Sequence, residues 1–130
     1  MVGRRGEHLV EAFVCSQDWR PVISDAYGYD ILVTRDPNIL RLQVKRTLEP
    51  QKDKERSNSR SWKWAVGVGR REGILIPTDH YDVLAPVALE PNVVRLLNAK
   101  DGNKKTSRTK PENLNAGHTG DTWRAITYAL

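Results

Sequence analysis

The chain has 130 residues, a hydrophobic content of 38% and a net charge of +5, with 21 Lys and Arg against 16 Asp and Glu. This length predicts one domain, residues 1–130, and the lack of an apolar run near the roughly 20 residues of a membrane helix predicts a soluble protein with no membrane partner. The positive charge favours nucleic acid as partner, although it can also serve solubility, and the single cysteine, Cys15, predicts a reducing intracellular, cytoplasmic setting without an intramolecular disulfide.

The first predicted element is an amphipathic helix over 6–17. Its apolar stripe follows i, i+3 and i+4 spacing through Leu9, Val10, Phe13 and Val14. On a helical wheel Glu7 lies at the edge of this stripe, whereas Glu11 points further towards solvent. Glu7 is therefore the acid of this helix that can reach a site formed on the sheet.

A hairpin is predicted after this helix. A short strand over 21–24 leads through a turn into a strand over 29–34, and the next strand covers 40–47. The turn between the last two strands contains Asp36-Pro37-Asn38, residue types that favour chain reversal. Asp30 and Gln43 therefore belong to neighbouring strands.

The second half of the chain is predicted to complete a sheet and to end in a helix. Two polar basic tracts are predicted as loops, over 49–61 and 99–120. The remaining elements are strands over 62–68, 81–89 and 92–97 and a helix over 122–130 with Asp121 as its N-cap. This order predicts an α/β or α+β fold with a mixed sheet of about five strands flanked by helices.

The triplet Gln43-Val44-Lys45 is the most informative stretch of the sequence. Side chains alternate along a strand, so Gln43 and Lys45 share one face, roughly 7 Å apart. An acid, an amide oxygen and an amine from neighbouring strands can hold Mg²⁺ and a water beside a phosphate, with Mn²⁺ able to substitute. Asp30 is the expected anchoring ligand.

The other ligands follow from the same arrangement. Gln43 offers a neutral side-chain oxygen, Val44 a backbone carbonyl, and Glu7 a second carboxylate, directly or through water. Lys45 can contact the scissile phosphate and orient or deprotonate the attacking water. The predicted catalytic residues are Glu7, Asp30, Gln43 and Lys45.

Each of these residues also has an explanation without function. The helix dipole alone favours Glu7 in a first turn, and Asp30 can simply begin a strand. Gln43 and Lys45 can form the solvated face of a half-buried strand. The order of the four residues is what makes the pattern specific.

The stretches 6–11, 29–33 and 42–45 resemble the PD-(D/E)XK nuclease superfamily. There an acid on the first helix, an Asp on one strand and a (Glu/Asp/Gln)-x-Lys on the next form the active site. The Gln-Val-Lys form is most similar to the intron-associated and free-standing homing endonucleases of phages and cyanobacteria, and the run 81–87 is also similar to a strand of those proteins. Archaeal-type Holliday junction resolvases share the layout but usually carry Glu at the position of Gln43. The resemblance implies a restriction-endonuclease-like core and, for a phage-encoded protein, action inside a host cell.

Two departures from the superfamily pattern bear on activity. Tyr29 stands where the superfamily name has Pro, a position that varies widely. Gln43 replaces a carboxylate, which removes one negative charge from the metal site. In the homing branch this exchange implies an active enzyme, and Glu7 can restore the lost charge.

Basic side chains flank the proposed site and can contact DNA phosphates, giving affinity rather than sequence choice. The candidate DNA-contacting residues are Arg4, Arg5, Lys52, Lys54, Arg56, Arg60, Arg70, Arg71, Lys104 and Lys105. Trp62 and Trp64 share a strand face and can stack on an unpaired base or pack in a core.

The sequence supports three hypotheses. The first is a Mg²⁺-dependent endonuclease that cuts duplex DNA as a homing enzyme or branched DNA as a junction resolvase. Because one active site cuts one strand, this hypothesis implies a homodimer or a dimer of dimers, joined through the strands of 83–97 or through Trp123, Ile126 and Tyr128. The second is a catalytically inactive DNA-binding module on the same fold, and the third is a basic structural protein.

Overall fold

The computed structural model describes residues 4–24, 28–54, 58–65, 80–99, 106–115 and 117–130. Within these ranges two α-helices bracket a series of strands. In chain order the elements are α1 (Arg5–Ser16), β1 (Arg20–Ile23), β2 (Ile31–Arg35), β3 (Asn38–Thr47), β4 (Gln51–Lys52), β5 (Arg60–Ala65), β6 (Val83–Ala88), β7 (Val93–Val94), β8 (Leu97–Asn98), β9 (Thr106–Thr109), a 3-10 helix (Pro111–Asn113) and α2 (Gly117–Tyr128).

The strands form one large and one small sheet. The large sheet has the order β1-β2-β3-β6-β7, with β8 also paired to β6. Strands β3 and β6 are parallel, whereas the other pairs of this sheet are antiparallel. The small sheet has the order β4-β5-β9. The predicted fold class, a mixed sheet with flanking helices, is confirmed.

Both helices pack on one face of the large sheet. Val10 and Val14 of α1 and Trp123 of α2 are buried together with apolar residues of β2, β3 and β6. The Trp123 ring meets Phe13 and Trp19 edge-to-face, at centroid distances of 6.0 and 5.5 Å. Such contacts add to the free energy gained from burying these rings.

A second core lies against β5 and the other side of β6. Trp62 and Trp64 stack with ring centroids 6.3 Å apart and are almost completely buried with Leu84 and Tyr81. The indole Nε1–H of Trp64 donates a hydrogen bond of 2.9 Å to the Val87 carbonyl. The pair therefore belongs to the core, and stacking of these rings on a DNA base is excluded as long as the core is intact.

Strand β6 is buried along its whole length. Val83, Ala85 and Val87 belong to the first core, and Leu84 and Ala88 belong to the second. A strand covered on both faces requires the continuous apolar run that the sequence has here. The side chains of residues 83–88 and Trp123 are thus buried within the chain, while Tyr128 is 93% exposed.

Two predictions about the polar tracts were wrong in part. The tract 49–61 contains β4 and the start of β5, and 99–120 contains β9 and the first turn of α2. Strand β9 pairs with β5 over four residues, so its strand conformation comes from the partner strand and not from its own sequence pattern.

The start of the last helix also differs from the prediction. Asp121 lies inside α2 and forms an ion pair with Arg124, so it is not the N-cap. At the helix start the Asn115 side-chain oxygen accepts a hydrogen bond of 2.8 Å from the Gly117 N–H. Neither helix in the part of the chain described here has the length and apolar character needed to cross a membrane.

Candidate functional site

The centre of β3 carries the triplet Gln43-Val44-Lys45. Leu42 and Val44 pack in the first core, so Gln43 and Lys45 lie on the opposite face. Ile31 of β2 pairs with Leu42, and continuing this register by one residue places Asp30 opposite Gln43 on the same face. Gln43 is only 8% exposed, so it is not part of a solvated strand face.

Asp30 is attached to β3 by its backbone and by its side chain. Its N–H donates to the Leu42 carbonyl at 2.8 Å, and its Oδ2 accepts the Val44 N–H at 2.8 Å. Strand β2 begins only at Ile31. The Asp30 carboxylate therefore accepts the hydrogen bond from the Val44 N–H that a backbone carbonyl of a longer β2 would accept. The N–H and C=O of one strand residue point to the same side, so the Val44 carbonyl also points to the side of Asp30.

Gly28 shapes the turn that delivers Asp30. Its φ is +94°, and a Cβ at this position would lie 2.5 Å from the His80 Cβ. An L-residue here would combine backbone strain with a steric clash. The glycine therefore allows the chain to pass close to His80 and to enter β2 with Asp30 in place.

The first turn of α1 brings Glu7 to the same end of the sheet. A Cβ on Gly6 would lie 3.4 Å from both Val44 Cγ1 and Arg46 Cβ, so the helix starts directly on β3. Glu7 Oε2 is buried and has no hydrogen-bond partner among the residues that the structure describes. A carboxylate oxygen in this situation is costly unless a cation binds it.

The pKa of Asp30 reflects these neighbours. Burial raises the pKa, and the negative charge of Glu7 raises it further, whereas the Val44 hydrogen bond and the charges of Lys45 and Arg4 lower it. The net pKa of Asp30 lies above its ordinary value. Glu7, Lys45 and Arg4 therefore all lie within electrostatic reach of Asp30.

The donor set fits a hard divalent cation. Asp30 and Glu7 supply carboxylates, and Gln43 and Val44 can supply neutral oxygens, which is the all-oxygen chemistry that Mg²⁺ and Mn²⁺ prefer. Among the described residues no three His, Cys, Asp or Glu side chains form a potential metal group. The site offers two carboxylates, those of Glu7 and Asp30, and Gln43 lies on the strand face that Asp30 shares.

An ion pair beside the site was not predicted. Asp82 accepts hydrogen bonds from the Arg41 backbone N–H at 2.8 Å and from its guanidinium at 3.1 and 3.2 Å, and its own N–H donates to the Arg41 carbonyl. Burial would raise the pKa of Asp82, but the hydrogen bonds and charge of Arg41 hold it below its ordinary value. The pair fastens β6 to β3 two residues before Gln43. No sequence signal links the two residues, since only the parallel pairing of the sheet brings them together.

The predicted DNA-contacting residues have different environments. Arg4 is exposed and lies near Asp30, whereas the Arg5 guanidinium donates to the Leu89 carbonyl at 2.8 Å and to Asn92 Oδ1 at 3.0 Å. Arg5 therefore helps to hold α1 against the turn after β6. Lys52, Lys54 and Arg60 are exposed on or beside the small sheet. Outside the described residues lie Arg56, Arg70, Arg71, Lys104 and Lys105.

Comparisons with known proteins support the fold. No protein-family model matches the chain, and no curated protein matches it. The structure is similar to that of a bacterial homing endonuclease, I-Ssp6803I, with a TM-score of 0.67 and 13% sequence identity, over 98% of this chain and 91% of that chain. At this identity the similarity establishes a shared fold along nearly the whole chain.

Proposed function

We propose that the protein is a metal-dependent DNA endonuclease of the PD-(D/E)XK type, with Mg²⁺ as its cofactor and Mn²⁺ able to replace it. The observation that carries the proposal is the Asp30 carboxylate, bonded to the Val44 N–H and facing the charges of Glu7 and Lys45. The similarity to a homing endonuclease structure supports the same conclusion.

Asp30, Glu7, Gln43 and the Val44 carbonyl would hold the metal ion. Bound there, Mg²⁺ supplies charge neutralisation at the phosphate and makes a water more acidic. The hydrogen bond from Val44 fixes one Asp30 oxygen, which leaves the other carboxylate oxygen for the cation. Glu7 would supply a second negative charge to the cation, since its buried Oε2 has no hydrogen-bond partner among the described residues.

Lys45 acts on the phosphate and on the nucleophile. In hydrolysis an oxygen of water forms the new bond to phosphorus, the bond to the leaving sugar oxygen breaks, and that oxygen gains a proton. The Lys45 ammonium stabilises the developing charge on the phosphate and orients the attacking water. Its position beside Asp30 brings its charge next to the metal ligands.

The substrate is duplex or branched DNA. Cleavage of both strands requires two sites, so we propose that the protein acts as a homodimer or as a dimer of dimers. Incubation with Mg²⁺ and either a long duplex, a four-way junction or single-stranded DNA separates the possibilities. One cut site in the duplex identifies homing-type cleavage, and symmetrical nicks in the junction alone identify a resolvase. DNA binding without cleavage of any substrate would contradict the catalytic proposal and leave an inactive binding module.

Gln43→Glu tests the metal shell. The added carboxylate would give the site a third acidic ligand, so we expect tighter Mg²⁺ binding, by about tenfold for an interaction of 1–2 kcal/mol. Titration of Mg²⁺ against the melting temperature measures the change, with Gln17→Glu at the far end of α1 as a matched control. Identical Mg²⁺ affinity in the variant and the wild type would show that Gln43 is not a ligand.

A further inference from the structure

A second polar site lies at the small sheet. A pocket of about 470 Å³ is lined by polar and charged residues of β5, β9 and the adjoining segments. These residues are Asp53, Ser61, Arg95, Thr109, Lys110 and Asn113. None of them belongs to the proposed metal site.

Among the described lining residues Asp53 is the one carboxylate, and its charge is already neutralised. Asp53 Oδ2 accepts hydrogen bonds from Lys110 Nζ at 2.5 Å and from Ser59 Oγ at 2.6 Å, and Lys63 Nζ lies 3.7 Å from Oδ1. The hydrogen bonds from Lys110 and Ser59 hold the pKa of Asp53 far below its ordinary value, so it stays ionised. Two ammonium groups thus share one negative charge.

Arg95 adds a third cation to the site. Its guanidinium is half-buried and donates to the Thr109 hydroxyl, and among the described residues no carboxylate lies within 4.0 Å of it. Burial lowers the pKa of Arg95 from its ordinary value, which means that the charge is held without full solvation. A guanidinium has five N–H donors, so further donors remain for an anion.

The pocket is connected to the strand that carries Gln43 and Lys45. Thr47, at the end of β3, donates a hydrogen bond of 2.5 Å to the Lys63 carbonyl. Lys63 Nζ in turn donates to the Lys52 carbonyl at 2.7 Å and lies near Asp53. The end of β3 is therefore hydrogen-bonded to the strand β5 that borders the pocket.

We propose that this pocket binds a phosphate group, with Arg95 and Lys110 as its principal donors. This phosphate would belong to the DNA backbone away from the scissile bond, an assignment that rests on the proposed function. Among the described residues, Lys63, Lys110 and Arg95 place three positive charges near the negative charge of Asp53, which suits a dianionic or polyanionic ligand. A guanidinium can also donate two parallel N–H hydrogen bonds to the oxygens of one phosphate. The contact would contribute affinity and register and would not distinguish sequences.

Arg95→Gln tests the assignment to DNA. We expect a duplex affinity about tenfold lower at low salt, equally for unrelated sequences, and a slope of log affinity against log salt reduced by about 0.9 for one lost phosphate contact. Arg124→Gln, at an exposed arginine on α2, removes the same charge and should change neither quantity.

Inorganic phosphate provides a readout that does not depend on nuclease activity. At equal ionic strength, phosphate in place of chloride should raise the melting temperature of the wild type and of Arg124→Gln, but not that of Arg95→Gln. Asn113→Asp places a negative charge on an exposed pocket residue without a change of size, so it should lose the phosphate effect with an unchanged melting temperature in chloride.

The two readouts separate the two proposals. A phosphate effect without any DNA binding would overturn the assignment to DNA together with the proposed function, and would leave a site for a free phosphate compound. Equal behaviour of Arg95→Gln and Arg124→Gln in both assays would overturn the pocket proposal while wild-type cleavage still supported the nuclease.

Discussion

Asp30→Asn is expected to abolish DNA cleavage and, at the same time, to stabilise the metal-free protein. Loss of the anchoring carboxylate should lower the single-turnover rate by about a thousandfold or more, since electrophilic stabilisation by a metal contributes several kcal/mol. The asparagine oxygen can still accept the Val44 N–H, so the local structure is retained. In the variant, burial and the negative charge of Glu7 no longer destabilise a carboxylate at position 30, so the melting temperature of the metal-free protein should rise.

The pH dependence of this stability difference has a definite sign. The pKa of Asp30 is raised above its ordinary value, mainly by burial, so folding favours the protonated carboxyl. Its contribution to stability is complete below the unfolded pKa and is lost as the pH rises through the folded pKa. The melting temperature of Asp30→Asn relative to the wild type should therefore increase from acidic to neutral pH.

Mg²⁺ should reverse the order of stability. The wild type should gain melting temperature with increasing Mg²⁺, because the ion binds the native state and offsets the repulsion between Asp30 and Glu7. Asp30→Asn should gain much less. Asp36→Asn, in an exposed turn, is the control and should keep cleavage and the Mg²⁺ response of the wild type. Unchanged cleavage in Asp30→Asn would contradict the metal site.

The local parts of the structure could be predicted from the sequence. The apolar stripe of α1 and the turn at Asp36-Pro37-Asn38 are short-range patterns, and they led correctly to a helix followed by a hairpin. The alternation along β3 also predicted that Gln43 and Lys45 share a face opposite Leu42. These features depend on residues that are close in the sequence, and the tertiary packing is compatible with them.

The parts that depend on distant partners could not be predicted. β9 is a strand because it pairs with β5, although its polar sequence shows no strand pattern. The Arg41–Asp82 pair and the shared pocket of Arg95 and Lys110 require residues that are far apart in the sequence to meet. The burial of Trp62 and Trp64 was one of two options that the sequence left open, and the contact with β6 decides it.

Lys45→Met is the second variant with a large expected effect, because it removes the amine and keeps most of the side-chain volume. We expect a single-turnover rate lower by about 10² to 10⁴, the range of general acid–base catalysis. The Mg²⁺ effect on melting temperature should change little, since Lys45 is not a proposed metal ligand. Arg35→Met, at an exposed arginine at the end of β2, provides the control.

Lys45→Arg separates the two roles of the amine. Arginine keeps the positive charge but does not lose its proton at any accessible pH. If Lys45 mainly stabilises charge on the phosphate, Lys45→Arg should recover most of the rate that Lys45→Met loses. If it takes the proton of the attacking water, Lys45→Arg should be as slow as Lys45→Met, and the rise of the wild-type rate with pH should disappear. Wild-type rates in Lys45→Met would contradict both roles and leave the metal-binding residues alone to carry the reaction.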